Sequence, residues 1–215
     1  MAMDVTDQDL AERLAAAFTL SGSGSAGAHP WLWRSLLQLL ARGEPVTEDE
    51  LAMATARPLA EVRAALSVLP DTEYDEEGRI IGSGITLRPT PHRFEIDGHT
   101  LYTWCALDTL IFPVVLGRPA RVTSRCRSTG ESIHVEVGPA GLGSVAPEDA
   151  VISLVMPSPS CSIRGGFCDE VHFFASAALA QAWLRDHPEG TVCPVANAFG
   201  VARSLADALL AREQS

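Results

Sequence analysis

Apolar residues first recur at helical spacing near the start of the chain. Val5, Leu10, Leu14 and Phe18 fall on one side of a short amphipathic helix over residues 3–20. The small polar run SGSGSAGA, residues 21–28, reads as a flexible linker. Pro30 then opens a second helix, WLWRSLLQLLARG, which Gly43 closes. Thr47-Glu48-Asp49-Glu50 has the spacing of a capping box and starts a helix through about Ala56. Pro58 starts another, through Leu69. The stretch EYDEEGRIIGSG follows as two short strands around a Glu-Gly turn. Three helices and a two-stranded wing outline a winged helix.

Near Ile85 the period changes. ITLRP and HRFEI alternate as strands, with a tight turn at Asp97-Gly98. HTLYTWCALDTLIFPVVLG reads as helical in its middle, where Pro113 should kink or shorten the helix. PARVTSRC and SIHVEVG alternate as strands around Ser-Thr-Gly-Glu, and AVISLVMP is a buried strand. PSPSCSIRGGFCDE is rich in Pro, Ser and Gly and reads as loop. VHFFA is a strand, Ser176 caps the helix ALAQAWLRDH, and TVCPV is a last strand before a helix from Ala196 to Arg212. Strands and helices do not alternate regularly, so the class is α+β rather than parallel α/β. The reading divides the chain into a helix and linker (1–29), a winged-helix-like part (30–84) and a larger α+β domain (85–215).

Charge changes what the winged helix can mean. The chain of 215 residues carries a net −11, and residues 1–85 hold 14 acidic against 6 basic side chains. The would-be recognition helix, PLAEVRAALSVL, offers one Arg and one Glu. Phosphate contacts need positive charge, so this half reads as a scaffold rather than a nucleic-acid reader. All 16 basic residues are Arg, which reads as base composition rather than function. No apolar run reaches the length of a membrane helix, and the acidic start MAMDVTDQDLAERL is unlike a signal peptide. The expectation is therefore a cytoplasmic protein without nucleic-acid or membrane partners, its five Cys held as thiols.

Candidate chemistry concentrates on two of those thiols. Cys105 and Asp108 stand three apart in WCALD, a spacing that places both on one face of a helix. A carboxylate beside a thiol can take its proton and return it later. Taken alone, Cys105 in so apolar a segment reads more readily as a core side chain. Cys168 lies in Arg-Gly-Gly-Phe-Cys, where the glycines let backbone approach a ligand and Arg164 could favour thiolate. It stands evenly between function and packing. Two thiolates and a carboxylate would make a soft, low-coordinate metal site. Zinc favours closely spaced Cys or His pairs, and the arithmetically available set Cys161, Cys168, His172 and Cys193 has irregular spacing. His172 reads as a hydrogen-bonded core His. Cys126 and Cys193 read as small buried hydrophobes in strands, and Cys161 as a surface thiol.

The residues EYDEEGRIIGSGITLRPTPHRFEIDGHTLYTWCALDTLIFPVVLGRPARVTS, with GGFCDEVHFFAS further on, resemble the organomercurial (alkylmercury) lyases. The likeness covers roughly residues 31–212 and is densest from Glu73 to Ser176. It implies a winged-helix-like N-terminal part and a C-terminal part of antiparallel sheets flanked by helices. It also implies protonolytic cleavage of the carbon–mercury bond of alkyl or aryl mercury, giving hydrocarbon and Hg2+. The resemblance assigns the active thiols to Cys105 and Cys168, both ligating mercury, and the proton-handling carboxylate beside them to Asp108. Trp104 and Phe167 are candidates for an apolar substrate pocket, or equally for plain core. No cofactor is implied, mercury being substrate and product. Low-molecular-weight thiols and a mercuric reductase are implied as partners that carry mercury away. Some members have a second Cys after the later catalytic one; here that position is Asp169. The competing function is a winged-helix soft-metal sensor or binding protein that uses thiols without catalysis, which would want a basic recognition helix.

Overall fold

The helical and strand segments take up most of the expected order along the chain. The computed structural model describes residues 10, 12–14, 29–69, 71–157 and 162–211. The helix expected over 3–20 is described at residues 10 and 12–14, which are helical, and Leu14 there is fully buried. The linker at 21–28, Cys161 and Arg212 lie outside the described residues.

Helix α1 (Pro30–Leu40) has Pro in its first turn and buries Leu32, Leu36, Leu37 and Leu40. Helix α2 (Glu48–Thr55) carries the expected capping box. The Glu50 N–H donates to Thr47 Oγ1 at 3.2 Å, and the Thr47 N–H donates to Glu50 Oε2 at 2.8 Å. Helix α3 (Leu59–Ser67) follows Pro58, and strands β1 (Glu73–Tyr74) and β2 (Ile80–Ser83) form the wing.

The wing is not a separate sheet. β3 (Ile85–Thr86) pairs with β2, and the ladder continues through β5 (His99–Thr103), β4 (His92–Ile96), β6 (Ala120–Arg125), β7 (Ser132–Gly138) and β8 (Gly141–Ala146). The eight strands run in the order β1-β2-β3-β5-β4-β6-β7-β8, antiparallel at each pairing. A second antiparallel sheet has the order β10-β9-β11, from β9 (Val151–Leu154), β10 (Phe173–Phe174) and β11 (Thr191–Pro194). Inward residues alternate as a half-buried sheet requires: Phe94 and Ile96 on β4, Val122 and Ser124 on β6, and Ile133, Val135 and Val137 on β7. With helices packed on antiparallel sheets, the class is α+β.

Helix α4 (Asp108–Leu116) runs through the middle of the molecule, against α1, β7 and the last helix, α7 (Val195–Ala211). Leu110, Ile111, Phe112, Val115 and Leu116 are all buried, each contributing roughly 1.5–3 kcal/mol of apolar burial. This anchors whatever stands at its N-terminus. The helix continues through Pro113 to Leu116, where Gly117 ends it in the left-handed region. Among the described residues, no helix is long and apolar enough to cross a membrane.

Several local expectations give way. β8 is a strand where none was expected; its GLGSVA sequence has little strand propensity of its own and is recruited by pairing with β7. The segment before Cys168, expected as loop, contains one helical turn, α5 (Ile163–Gly166), and then a 3-10 turn at Cys168–Glu170. Ser176 precedes a 3-10 turn (Ala177–Ala180) and α6 (Gln181–Asp186), with no side-chain capping bond. Cys126 lies just beyond β6 rather than in it.

Candidate active site

Cys105 stands in the bend between β5 and α4, not on the helix as its spacing suggested. A different device brings Asp108 to it. From the first turn of α4 the carboxylate reaches back three residues, and its Oδ2 accepts the Cys105 N–H at 3.2 Å. Glu50 makes the same reach to the Thr47 N–H. The three-residue spacing therefore serves a side chain reaching back to the backbone ahead of the helix, not a helix face.

Backbone groups on both sides of Cys105 are tied to other segments. The Trp104 N–H donates to the Gly84 carbonyl at 3.0 Å, and the Ala106 N–H to the Val171 carbonyl at 3.1 Å. Thr103 Oγ1 donates to the Cys105 carbonyl at 2.9 Å. Gly84 is needed where it stands: its φ is +88°, and a Cβ there would lie 2.6 Å from Phe112 Cζ.

Cys168 opens the 3-10 turn after α5, and the Val171 N–H donates to its carbonyl at 3.2 Å. Because Val171 also receives the Ala106 N–H, the two cysteine segments are sewn directly together. Cys105 Sγ, Cys168 Sγ and an Asp108 carboxylate oxygen all lie within 4.8 Å of one another. Among the described residues this is the one group of three potential metal ligands so arranged. Cys168, His172 and Cys193 do not form such a group, and Cys161 lies outside the described residues.

The electrostatics favour protonated thiols at rest. Burial pushes the Cys105 thiol well up, reinforced by its hydrogen bond with Cys168 and by the Asp108 charge. At Cys168 the hydrogen bond from Cys105 pulls downward. Burial and the carboxylates of Asp108, Asp169 and Asp71 outweigh it, so the net direction is up. Burial pushes the Asp108 carboxyl up to about 7, against the hydrogen bonds from Cys105 that favour its charged form. A carboxyl poised near neutrality beside two neutral thiols can take a proton and give it back.

Trp104 and Phe167 flank the two thiols in sequence and are both buried. Trp104 lies under the Arg164 guanidinium, whose Cζ is 4.9 Å from the ring centroid, and its Nε1 is buried without a hydrogen-bond partner. Arg164 does not supply the expected charge to Cys168; it is turned to Trp104 and to the Glu73 carboxylate. Glu73 and Asp71, both in contact with Arg164, were not singled out from the sequence. An acidic residue at a wing strand carries no signal of a partner 91 positions away. Cys126 is buried, as expected of a small hydrophobe, and its Sγ accepts the Ala175 N–H at 3.4 Å. Cys193 lies in β11, as expected, but is half-buried. His172 sits just before β10, half-buried, its N–H donating to Ser153 Oγ at 2.8 Å.

Known proteins match over nearly the whole chain. The family model described as alkylmercury lyase matches residues 85–207, and one described as the helix-turn-helix domain of alkylmercury lyase matches residues 9–84. An alkylmercury lyase of Streptomyces lividans is 56% identical over 208 residues, covering 97% of this chain and 96% of that protein. One from Staphylococcus epidermidis (strain ATCC 12228 / FDA PCI 1200) is 49% identical, covering 85% of this chain and 84% of that one. A Pseudomonas putida alkylmercury lyase is 47% identical, with 89% and 92% covered. Among solved structures, the mercury-bound form of MerB2 superposes with a TM-score of 0.77 at 27% identity, covering 92% of this chain and 99% of that one. By its own matches and those of its helix-turn-helix part, this chain belongs to the alkylmercury lyase family.

Proposed function

We propose that Cys105, Cys168 and Asp108 together cleave the carbon–mercury bond of alkyl and aryl mercury compounds by protonolysis. The chain is a carbon–mercury lyase, an enzyme of mercury detoxification. The observation that carries the residue roles is the mutual approach of two thiols and a carboxyl within 4.8 Å. Near-linear coordination of one mercury by two sulfurs needs them roughly 4–5 Å apart, taking a metal–sulfur length like zinc's ~2.3 Å as scale.

The substrate arrives as RHg+ on a small thiol. The Cys105 thiol displaces that carrier, which leaves with the proton. The Cys168 thiol gives its proton to the Asp108 carboxylate and adds its sulfur to mercury. Electron density from two thiolates weakens the carbon–mercury bond, and Asp108, now protonated, delivers H+ to the carbon. Hydrocarbon leaves, Hg2+ stays on two sulfurs and Asp108 is again a carboxylate, so charge and protons balance. In this reading mercury is substrate and product, and no cofactor takes part. Trp104 and Phe167 line an apolar pocket for the organic group. Low-molecular-weight thiols and a mercuric reductase take the metal onward, in the cytoplasm. Residues 30–84 serve as a winged-helix-like scaffold on the catalytic part, residues 85–215. Asp169, where some relatives have Cys, offers no third sulfur for the handoff.

The scaffold role is supported by the third helix. Its one Arg, Arg63, donates to Glu48 at 2.7 Å, and its Glu61 pairs with Arg57, so its one basic side chain faces an acidic one. A metal sensor without catalysis is disfavoured because the relatives that match over most of the chain are alkylmercury lyases. The deciding experiment mixes purified protein with methylmercury and excess thiol and follows methane. Methane formation by the wild type and its absence with Cys168→Ser supports the reading; no methane from the wild type overturns it.

A further inference from the structure

We infer that Glu73 is a positioning residue for the two-thiol centre, holding the Cys168 segment against the Cys105 segment through Arg164. The inference rests on the two-thiol reading above.

Glu73 lies on wing strand β1 and is 8% exposed. A carboxylate that buried needs partners for its charge. Glu73 Oε1 accepts from Arg164 Nη1, and Oε2 accepts from Thr86 Oγ1 on β3. The sheet leaves a seat for it. Glu73 stands opposite Gly82 in register, where a Cβ would run into Glu73 Oε2 and lie 2.9 Å from Thr86 Oγ1. Asp71, two residues earlier, accepts the Arg164 backbone N–H through Oδ2 at 3.2 Å.

What Glu73 holds is the entry to the Cys168 turn. Arg164 is four residues before Cys168, and its guanidinium spans from Glu73 to the face of Trp104, the residue before Cys105. On the far side of Cys168, Val171 is bonded to Ala106, the residue after Cys105. The Cys168 turn is thus tied to the Cys105 bend at two points. One is a backbone hydrogen bond. The other depends on Arg164 being turned toward Trp104 rather than into solvent, and Glu73 is the charge that turns it. Groups that orient metal ligands without touching the metal typically change affinity or activity ~10–100-fold when replaced.

The test compares wild type, Glu73→Gln, Thr86→Val and Cys168→Ser. Four readouts are taken: kcat and KM with phenylmercury, the sulfur-to-mercury charge-transfer absorption after loading Hg2+, Hg2+ loss to a competing dithiol, and the iodoacetamide alkylation rate of Cys168. Glu73→Gln is nearly isosteric and keeps a hydrogen bond to Thr86. It should lower kcat by ~10–100-fold, speed Hg2+ loss and speed Cys168 alkylation, with the melting temperature little changed. Thr86→Val, which removes the Oε2 partner alone, should move each readout the same way by less. It serves as the second variant should Glu73→Gln fold poorly. A merely structural role would lower the folded fraction and leave kcat per titrated site and Cys168 reactivity at wild-type values; that result overturns the proposal. Wild-type protein lacking the two-thiolate absorption, or Cys168→Ser keeping it, overturns the two-thiol reading and this inference with it. Wild-type behaviour of Glu73→Gln in a protein that passes that control overturns the positioning role alone.

Discussion

Cys105 and Cys168 meet across a few ångströms but are held there by different means. Cys105 sits between a strand and a buried helix, and the N–H groups on either side of it are bonded to Gly84 and Val171. Its own N–H is taken by Asp108, its carbonyl by Thr103. Cys168 rides on a 3-10 turn after a single turn of helix, and the entry to that turn depends on Arg164 contacts 91 and 93 residues away. Backbone hydrogen bonds of this kind do not depend on any one side chain. Contacts of a long side chain are specific but separately breakable. One thiol is thus held within its own bend, and the other stands on a turn whose entry is tied from far along the chain.

The sharpest way to break this comparison is to remove a sulfur. Cys105→Ser and Cys168→Ser should both lose turnover altogether, because a hydroxyl is a hard, weakly acidic ligand for a soft metal. Hydrocarbon release is the measurement; full activity in Cys168→Ser would make the second thiol dispensable. Asp108→Asn comes next. It keeps both sulfurs, so it should retain Hg2+ through dialysis against a monothiol while losing ~10²–10⁴-fold in cleavage rate. In the wild type, kcat/KM should rise with pH through about 7, as the Asp108 carboxyl becomes free to accept a thiol proton. A variant that cleaves at the wild-type rate would place the proton source elsewhere.

Gly84→Ala probes the rigidity of the Cys105 side. A side chain at φ +88° is strained, and its Cβ would meet Phe112 Cζ at 2.6 Å. Together these should cost about 2–4 kcal/mol, read from the urea midpoint. A midpoint equal to wild type would mean that the bend before α4 yields easily. The smallest effect is on stability and concerns Asp108. Its folded pKa, about 7, lies above the ordinary 3.8, so the folded chain binds this proton more tightly than the unfolded one. Stability is therefore lost as pH rises from about 4 to about 7, and the penalty is complete above that. Asp108→Asn should be more stable than wild type at pH 8, by on the order of 1–2 kcal/mol, and lose most of that margin at pH 4. Equal midpoints at pH 8 would show that ionising Asp108 in place costs nothing.

Much of the scaffold was written in short-range pattern. Thr47 and Glu50 announced their helix, Asp97-Gly98 its hairpin, and the alternation in HRFEI and SIHVEVG the inward faces of β4 and β7. In each case the residues that give the signal also make the bond or bury the surface. β8 carries little signal of its own, because its glycines and serine follow a partner strand instead of leading one. The Asp108 spacing points to the right neighbour with the wrong geometry, since three residues also suit a side chain reaching back to the backbone before its helix.

The amino-acid order settles most of the helices and strands, though not β8 or α5, and it places a carboxylate within reach of Cys105, a contact that spans three residues. It also carries the family likeness. The meeting of Cys105 with Cys168, the turning of Arg164 away from the thiols, and the partnership of Glu73 with that Arg belong to another level. They join residues roughly 60 to 90 positions apart, brought together by the sheet that carries the wing onto the larger part and by the Ala106–Val171 bond between segments of different sheets. Long-range contacts of this kind depend on the whole hydrophobic core closing, so no local stretch of sequence can hold their signal.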